Sequence, residues 1–232
     1  MQPKRIVIIG AGGQARELKS AITWINRTKN EFEFLGYVIS DLSLIRPTDS
    51  DAEILGDFRW LERNRTTVDG LVMGIGAPVP RLKLATRLKK LLPKMAWPTI
   101  VHPSAIIDLD SAYVGEGSFI GAGVTATVNI RLEAFALCNF GCTVGHEATI
   151  GIGSVVNPGA NISGGVRIGA RVLIGTGAQV LQYLHVGSGA VVGAGAVVTR
   201  DVPEGVTVVG APARPRELPQ TLHHIRKEQY QR

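Results

Sequence analysis

Two hydrophobic periods divide this chain. From Val114 to Pro203 the period is six, and all fifteen hexads keep a small or aliphatic residue at their first and fifth places without an insertion. Val144, Ile150, Val156 and Ile162 are examples of the first place; Cys142, Ala148, Ser154 and Ala160 are examples of the fifth. Such a repeat predicts a short strand plus a corner per hexad, with three hexads closing one coil of a triangular prism. First and fifth side chains fill the prism, and third and sixth side chains point outward. No single coil closes a core, so the coils stabilise one another by stacking. Glycine clusters at the second and fourth places, where corners are expected to need positive φ.

Before the hexads the pattern is that of alternating strand and helix. Arg5–Ile9 reads as a buried parallel strand, and Gly10–Ala15 turns the chain into a helix with Leu18, Ala21, Ile22 and Ile25 on one face. Phe34–Ile39 is a second strand, ending at Ser40–Asp41, and Ile54–Leu55 a short third, before a small helix around residues 58–61. Gly70–Ile75 is the next strand, followed by Gly76 and a basic amphipathic helix from about Val79 to Leu92 with Leu82, Ala85, Leu88 and Leu92 inside. These elements predict a small βαβ domain over residues 1–98, half of a Rossmann-like sheet. An all-β prism over 99–210 and a tail over 211–232, expected to be partly helical, complete the chain.

Composition sharpens this only slightly. The 232 residues carry a formal net charge of +6, dispersed rather than clustered, which suits anionic small molecules better than nucleic acid. Ile6–Ile9 is too short for a signal segment, and no stretch approaches the roughly 18 apolar residues of a membrane span. A cytoplasmic protein is expected. Cys138 and Cys142 occupy inward places of one hexad, so buried thiols are favoured over a disulfide or a metal pair.

Two stretches carry candidate chemistry. Gly10-x-Gly12-x-x-Ala15 follows a strand and opens a helix, the context in which backbone N–H groups and a positive helix end meet a phosphate or sugar hydroxyl. A structural turn is the competing reading. The α/β part spans fewer than 100 residues, too few for a full dinucleotide site, so a mononucleotide or sugar nucleotide is favoured. Ser40, Asp41 and Gly76 end at the same sheet edge. The second stretch is His146–Glu147, at third and fourth places and hence on the prism surface. An imidazole beside a carboxylate holds one tautomer and gains basicity, which suits proton acceptance near neutral pH. His185 reads as structural or as a coenzyme edge, and His102 as packing or capping. No further histidine lies between His146 and His185, so no zinc site is expected. His223 and His224 carry no usable signal.

At these residues the chain resembles the sialic acid O-acetyltransferase-like family of hexapeptide acyltransferases. The best understood branch of that family N-acetylates nucleotide-linked 4-amino sugars. Ile8–Glu17, Phe34–Tyr37, Ile54–Gly56, Ile100–Ala105, Val144–Glu147, Asn157–Ala160 and Val209–Arg214 carry the likeness. The resemblance implies a left-handed parallel β-helix, homotrimers with active sites between neighbouring prisms, and acetyl-CoA as co-substrate without a metal. It implies a sugar-nucleotide site at Gly12, Gly13, Gln14, Ser40, Asp41 and Gly76, with Asn139 among the substrate contacts. His146 would be the general base and Glu147 its acidic partner. Acetyl-CoA would run along the prism past Val155, Thr176 and Ala194; the last two are third places three hexads apart, stacked on one edge a coil apart.

The chain departs from the family pattern twice. Many relatives carry a second histidine nine residues after the base, where this chain has Val155. The acidic pair usual after the second strand is replaced by Ile39–Ser40, with Asp41 one place late. The expected activity is acetyl transfer to the amine of a nucleotide-linked 4-amino-4,6-dideoxy sugar. The alternatives are O-acetylation of sialic acid or another sugar hydroxyl, and a catalytically weak sugar-nucleotide-binding scaffold.

Overall fold

The computed structural model describes residues 2–44 and 53–216, so His223, His224 and the remainder of the tail lie outside the described residues. The chain opens with β1 (Lys4–Ile9), α1 (Gly13–Lys29) and β2 (Phe32–Val38). It continues with β3 (Ile54–Gly56), α2 (Phe58–Arg63), β4 (Gly70–Met73) and α3 (Pro78–Leu91). The four strands form one parallel sheet in the order β3-β2-β1-β4. Because β1 lies between β2 and β4, the chain leaves it in opposite directions, and the crevice between the ends of β1 and β4 is the natural ligand position of such a sheet.

From Ile100 the chain winds into a left-handed parallel β-helix. Two-residue strands stack in parallel on three faces, with Val144 paired to Ile162 and Ile162 to Val180 on one of them. First and fifth places form a continuous core running from Ile120 to Val208. Ser118 and Ser154 sit at fifth places inside it, and their hydroxyls donate to the carbonyls of Glu133 and Gly169, which removes the cost of burying them. Cys138 and Cys142 are free and buried. A hydrogen bond between them, and then burial, push the Cys138 thiol well above its ordinary pKa.

The two glycine places do different work, which corrects the expectation of positive φ at both. Every fourth place from Gly117 to Gly195 has positive φ, whereas the second-place glycines do not. A second-place glycine is required by the coil above: a Cβ on Gly145 would lie 2.5 Å from the Gly164 nitrogen, and one on Gly151 2.3 Å from the Gly169 carbonyl oxygen. The prism also extends further than expected. Arg214–Pro215 pairs antiparallel with Val208–Val209, so the first residues assigned to the tail close its last coil.

The α/β domain lies against one face of the prism. Leu18, Ile22 and Ile25 of α1 share an apolar cluster with Ile100, Phe119, Leu137 and Val155, so sixth-place residues on this face meet a helix instead of water. On the other side of the small sheet, α3 packs toward Phe135, whose ring meets Trp97 edge-on at 5.1 Å. The fully enclosed residue in the first turns of α3 is Arg81; Leu82, expected inside, is only half-buried. The Arg81 guanidinium donates to the carbonyls of Met73 and Ile75 at the end of β4, and to those of Phe135 and Gly117 at one prism corner. Burial pushes its pKa down to about 9, which still leaves it charged at neutral pH.

Candidate active site

The hexad register sorts outward residues into columns along three corners. Val128, His146, Gly164 and Gln182 share one corner on successive coils, as the pairing of Ala126, Val144, Ile162 and Val180 fixes. The His146 side chain is 53% exposed, and its Nδ1 lies 3.9 Å from a Glu147 carboxylate oxygen. That distance supports charge attraction but is too long for a hydrogen bond. The imidazole lies across the coil above: a Cβ on Gly164 would sit 2.3 Å from His146 Nε2. The His146 carbonyl accepts the Gly165 N–H at 2.7 Å. Glu147 takes a fourth place and has φ of 61°, a left-handed backbone that costs a non-glycine residue roughly 1–3 kcal/mol.

Thr176 and Ala194 do stack one coil apart, with Leu173 paired to Val191 and Ile174 to Val192 beside them. Both are exposed. Their column, which continues down through Pro158 and Phe140, occupies a different corner from His146. Two of the sequence-predicted residues lie away from open surface. Val155 is 1% exposed, enclosed between Leu137, Leu173 and α1, so its side chain faces the domain seam instead of a coenzyme groove. Asn139 is 6% exposed, and its carboxamide oxygen accepts the Phe140 N–H.

The glycine-rich turn presents an open helix start. Gly12 caps α1 with no side-chain hydrogen bond, and no acidic residue occupies the first turn. A Cβ on Gly12 or Gly13 would meet nothing within 4 Å. Gln14 stands over Gly76, where a Cβ would come within 3.6 Å of it, and its amide Nε2 is buried without a hydrogen-bond partner. A free helix N-terminus, unpaired N–H groups and an unsatisfied amide make this crevice suited to an anionic, hydroxyl-rich ligand. Ser40 and Asp41 lie at the neighbouring end of β2, joined to the turn through the Gly10 N–H and the Val38 carbonyl. The Asp41 carboxylate accepts the Ser43 N–H and hydroxyl, which hold its pKa below the usual range.

The other two described histidines stay apart from this chemistry. His102 Nδ1 sits 2.8 Å from the Ser104 hydroxyl and accepts the Ser104 N–H, as expected of a capping role, and burial lowers its pKa. His185 stands next to Arg167 on an open face, and its backbone N–H donates to the Asp201 carboxylate. Among the described residues no group of His, Cys, Asp or Glu is arranged to hold a metal, and no helix is long and apolar enough to cross a membrane. Sequence reasoning missed Arg81 and Gly164. Gly164 was within reach of it, lying eighteen residues, or one coil, beyond His146.

No protein-family model and no curated protein sequence matches the chain. Solved structures do match. PerB from Caulobacter crescentus, in complex with CoA and GDP-perosamine, is 30% identical, superimposes with a TM-score of 0.81, and the match covers 91% of this chain and 97% of that one. The acetyltransferase domain of PglB from Neisseria gonorrhoeae is 28% identical with a TM-score of 0.80, covering 92% of this chain and all of that one (100%). WeeI from Acinetobacter baumannii is 29% identical with a TM-score of 0.76, over 92% and 100% of the two chains.

Proposed function

The chain belongs to the hexapeptide-repeat sugar N-acetyltransferases, and on that premise we propose that it transfers the acetyl group of acetyl-CoA to the amine of a nucleotide-linked 4-amino-4,6-dideoxy sugar. The observation that carries this reading is the His146 imidazole, exposed at a prism corner and laid over a glycine where no side chain can stand between it and a substrate. The sugar amine attacks the thioester carbonyl, forming a C–N bond. His146 takes the amine proton, with the Glu147 carboxylate favouring the imidazolium that results. The tetrahedral oxyanion collapses, the C–S bond breaks, and the CoA thiolate leaves and is protonated. No covalent enzyme intermediate is required. The oxyanion meets backbone N–H groups of the prism; the Gly164 N–H, which donates to no backbone carbonyl among the described residues, is the nearest candidate.

In this reading acetyl-CoA lies along the Thr176–Ala194 column and the sugar nucleotide at Gly12, Gly13, Gln14 and Gly76, with Ser40 and Asp41 at its edge. No metal takes part. The base and the coenzyme column occupy different corners of one prism, which supports a site built between neighbouring chains of a homotrimer. The protein is read as cytoplasmic.

Mixing the protein with acetyl-CoA and a panel of GDP-, UDP- and dTDP-linked amino sugars, alongside hydroxyl sugars, and following free thiol tests the reading. Thiol release with amines alone is expected. Release only with hydroxyl sugars, or binding without release, would contradict it.

A further inference from the structure

The left-handed backbone of the fourth hexad place is occupied by glycine wherever nothing else intervenes. Five residues there are not glycine: Asn129, Phe135, Glu147, Arg171 and Tyr183. Asparagine tolerates this backbone. Phe135 is held in it by burial against Trp97, and Glu147 belongs to the proposed base. Arg171 and Tyr183 have no such reason, and of the two Tyr183 is the one whose side chain lies against a glycine. Its φ is 60°, it is 71% exposed, and its hydroxyl has no hydrogen-bond partner among the described residues. A bulky residue in this region is a backbone outlier, and such outliers collect where function holds them.

The position of its ring suggests the function. A Cβ on Gly165 would lie 2.3 Å from Tyr183 Cδ1 and 2.6 Å from Cε1, so the phenol ring is laid down on Gly165 from the coil above. The His146 ring is laid on the adjacent Gly164 from the coil below. Gly164–Gly165 is therefore a floor without side chains, bearing one ring from each side. The two rings belong to coils two steps apart, a rise of roughly 10 Å, and each is laid toward the glycine pair between them.

We propose that Tyr183 determines acyl-chain specificity, its ring forming the wall opposite His146 in the slot that receives the acyl group. The proposal rests on the acetyl-transfer reading above. The Tyr183→Gly variant restores the residue that most fourth places carry, so its thermal midpoint is expected to equal or exceed that of the wild type. The measurement is kcat/KM for acetyl-CoA and for butanoyl-CoA with one sugar nucleotide. In Tyr183→Gly the butanoyl-to-acetyl ratio is expected to rise at least about tenfold, since a single methylene in an apolar pocket is worth roughly 10–200-fold. Tyr183→Phe, which keeps the ring, is expected to retain the wild-type ratio. An active Tyr183→Gly enzyme with a ratio within twofold of wild type overturns the proposal and leaves acetyl transfer standing. A shifted ratio in Tyr183→Phe overturns it as well, by assigning the effect to the hydroxyl. A wild-type protein that releases no thiol with any amino-sugar nucleotide removes both readings.

Discussion

Arg81 Nε donates to the Phe135 carbonyl oxygen at 2.7 Å, across the seam between the α/β domain and the prism. Phe135 and Gly117, the two prism acceptors, are fourth-place residues one coil apart, and the other two acceptors are the last residue of the edge strand β4 and Ile75 just beyond it. One guanidinium thus fixes the height of the sheet along the prism. Replacing it with an isosteric apolar residue leaves buried carbonyls without donors, so Arg81→Met is expected to cost about 3 kcal/mol or more. Chemical unfolding measures this; a loss under about 1 kcal/mol would show that the carbonyls find other partners.

Gly164 sets the lie of the imidazole. A methyl group there would overlap His146 Nε2, and the ring, exposed and free to rotate, would swing aside at little cost in stability. Gly164→Ala is therefore expected to unfold close to the wild-type midpoint while turnover falls about 100-fold, the typical effect of misplacing a catalytic group by about 1 Å. Unchanged turnover would separate the ring's position from the chemistry.

At Glu147, backbone and side chain pull in opposite directions. Glu147→Gly relieves a strained backbone and is expected to raise stability by about 1 kcal/mol, while loss of the carboxylate lowers turnover about tenfold or more. Glu147→Gln keeps the strain and loses the charge, so it should lower turnover without the stability gain. Paired unfolding and rate measurements check both.

The Arg5–Asp69 pair supplies the pH dependence. Hydrogen bonds from Arg5 hold the Asp69 carboxyl down at about 2. A depressed carboxylate stabilises the fold fully above its unfolded pKa of about 4, and that contribution is lost as pH falls through 2. Wild type should therefore exceed Asp69→Asn in stability at pH 7 and converge with it between pH 4 and 2. The gap should be small, because the two side chains remain 38% and 43% exposed and water screens them. A gap that persists at pH 2 would assign the effect to packing.

The prism was legible from the sequence because burial in it repeats every six residues, and the columns follow from arithmetic. His146 and Thr176 are thirty residues apart, which is five hexads and no multiple of three, so they occupy different corners. Strand boundaries in the α/β domain came within two residues for the same reason: Ile6–Ile9 and Leu71–Met73 are apolar on both faces. Spacing did not reveal why second-place glycines are needed, since their contacts lie a full coil away. Arg81 was missed because a charged residue on a basic helix reads as solvent-facing, and its prism acceptors lie 36 and 54 residues along the chain. The burial of Val155 at the domain seam was not legible, because nothing in the repeat tells which face a separate domain covers.

The account rests on His146 accepting the amine proton. The most direct test is the turnover of His146→Ala at saturating acetyl-CoA and amino-sugar nucleotide, with folding confirmed by an unchanged thermal midpoint. Removing a general base is expected to lower kcat by about two to four orders of magnitude. A kcat within twofold of wild type would contradict the account.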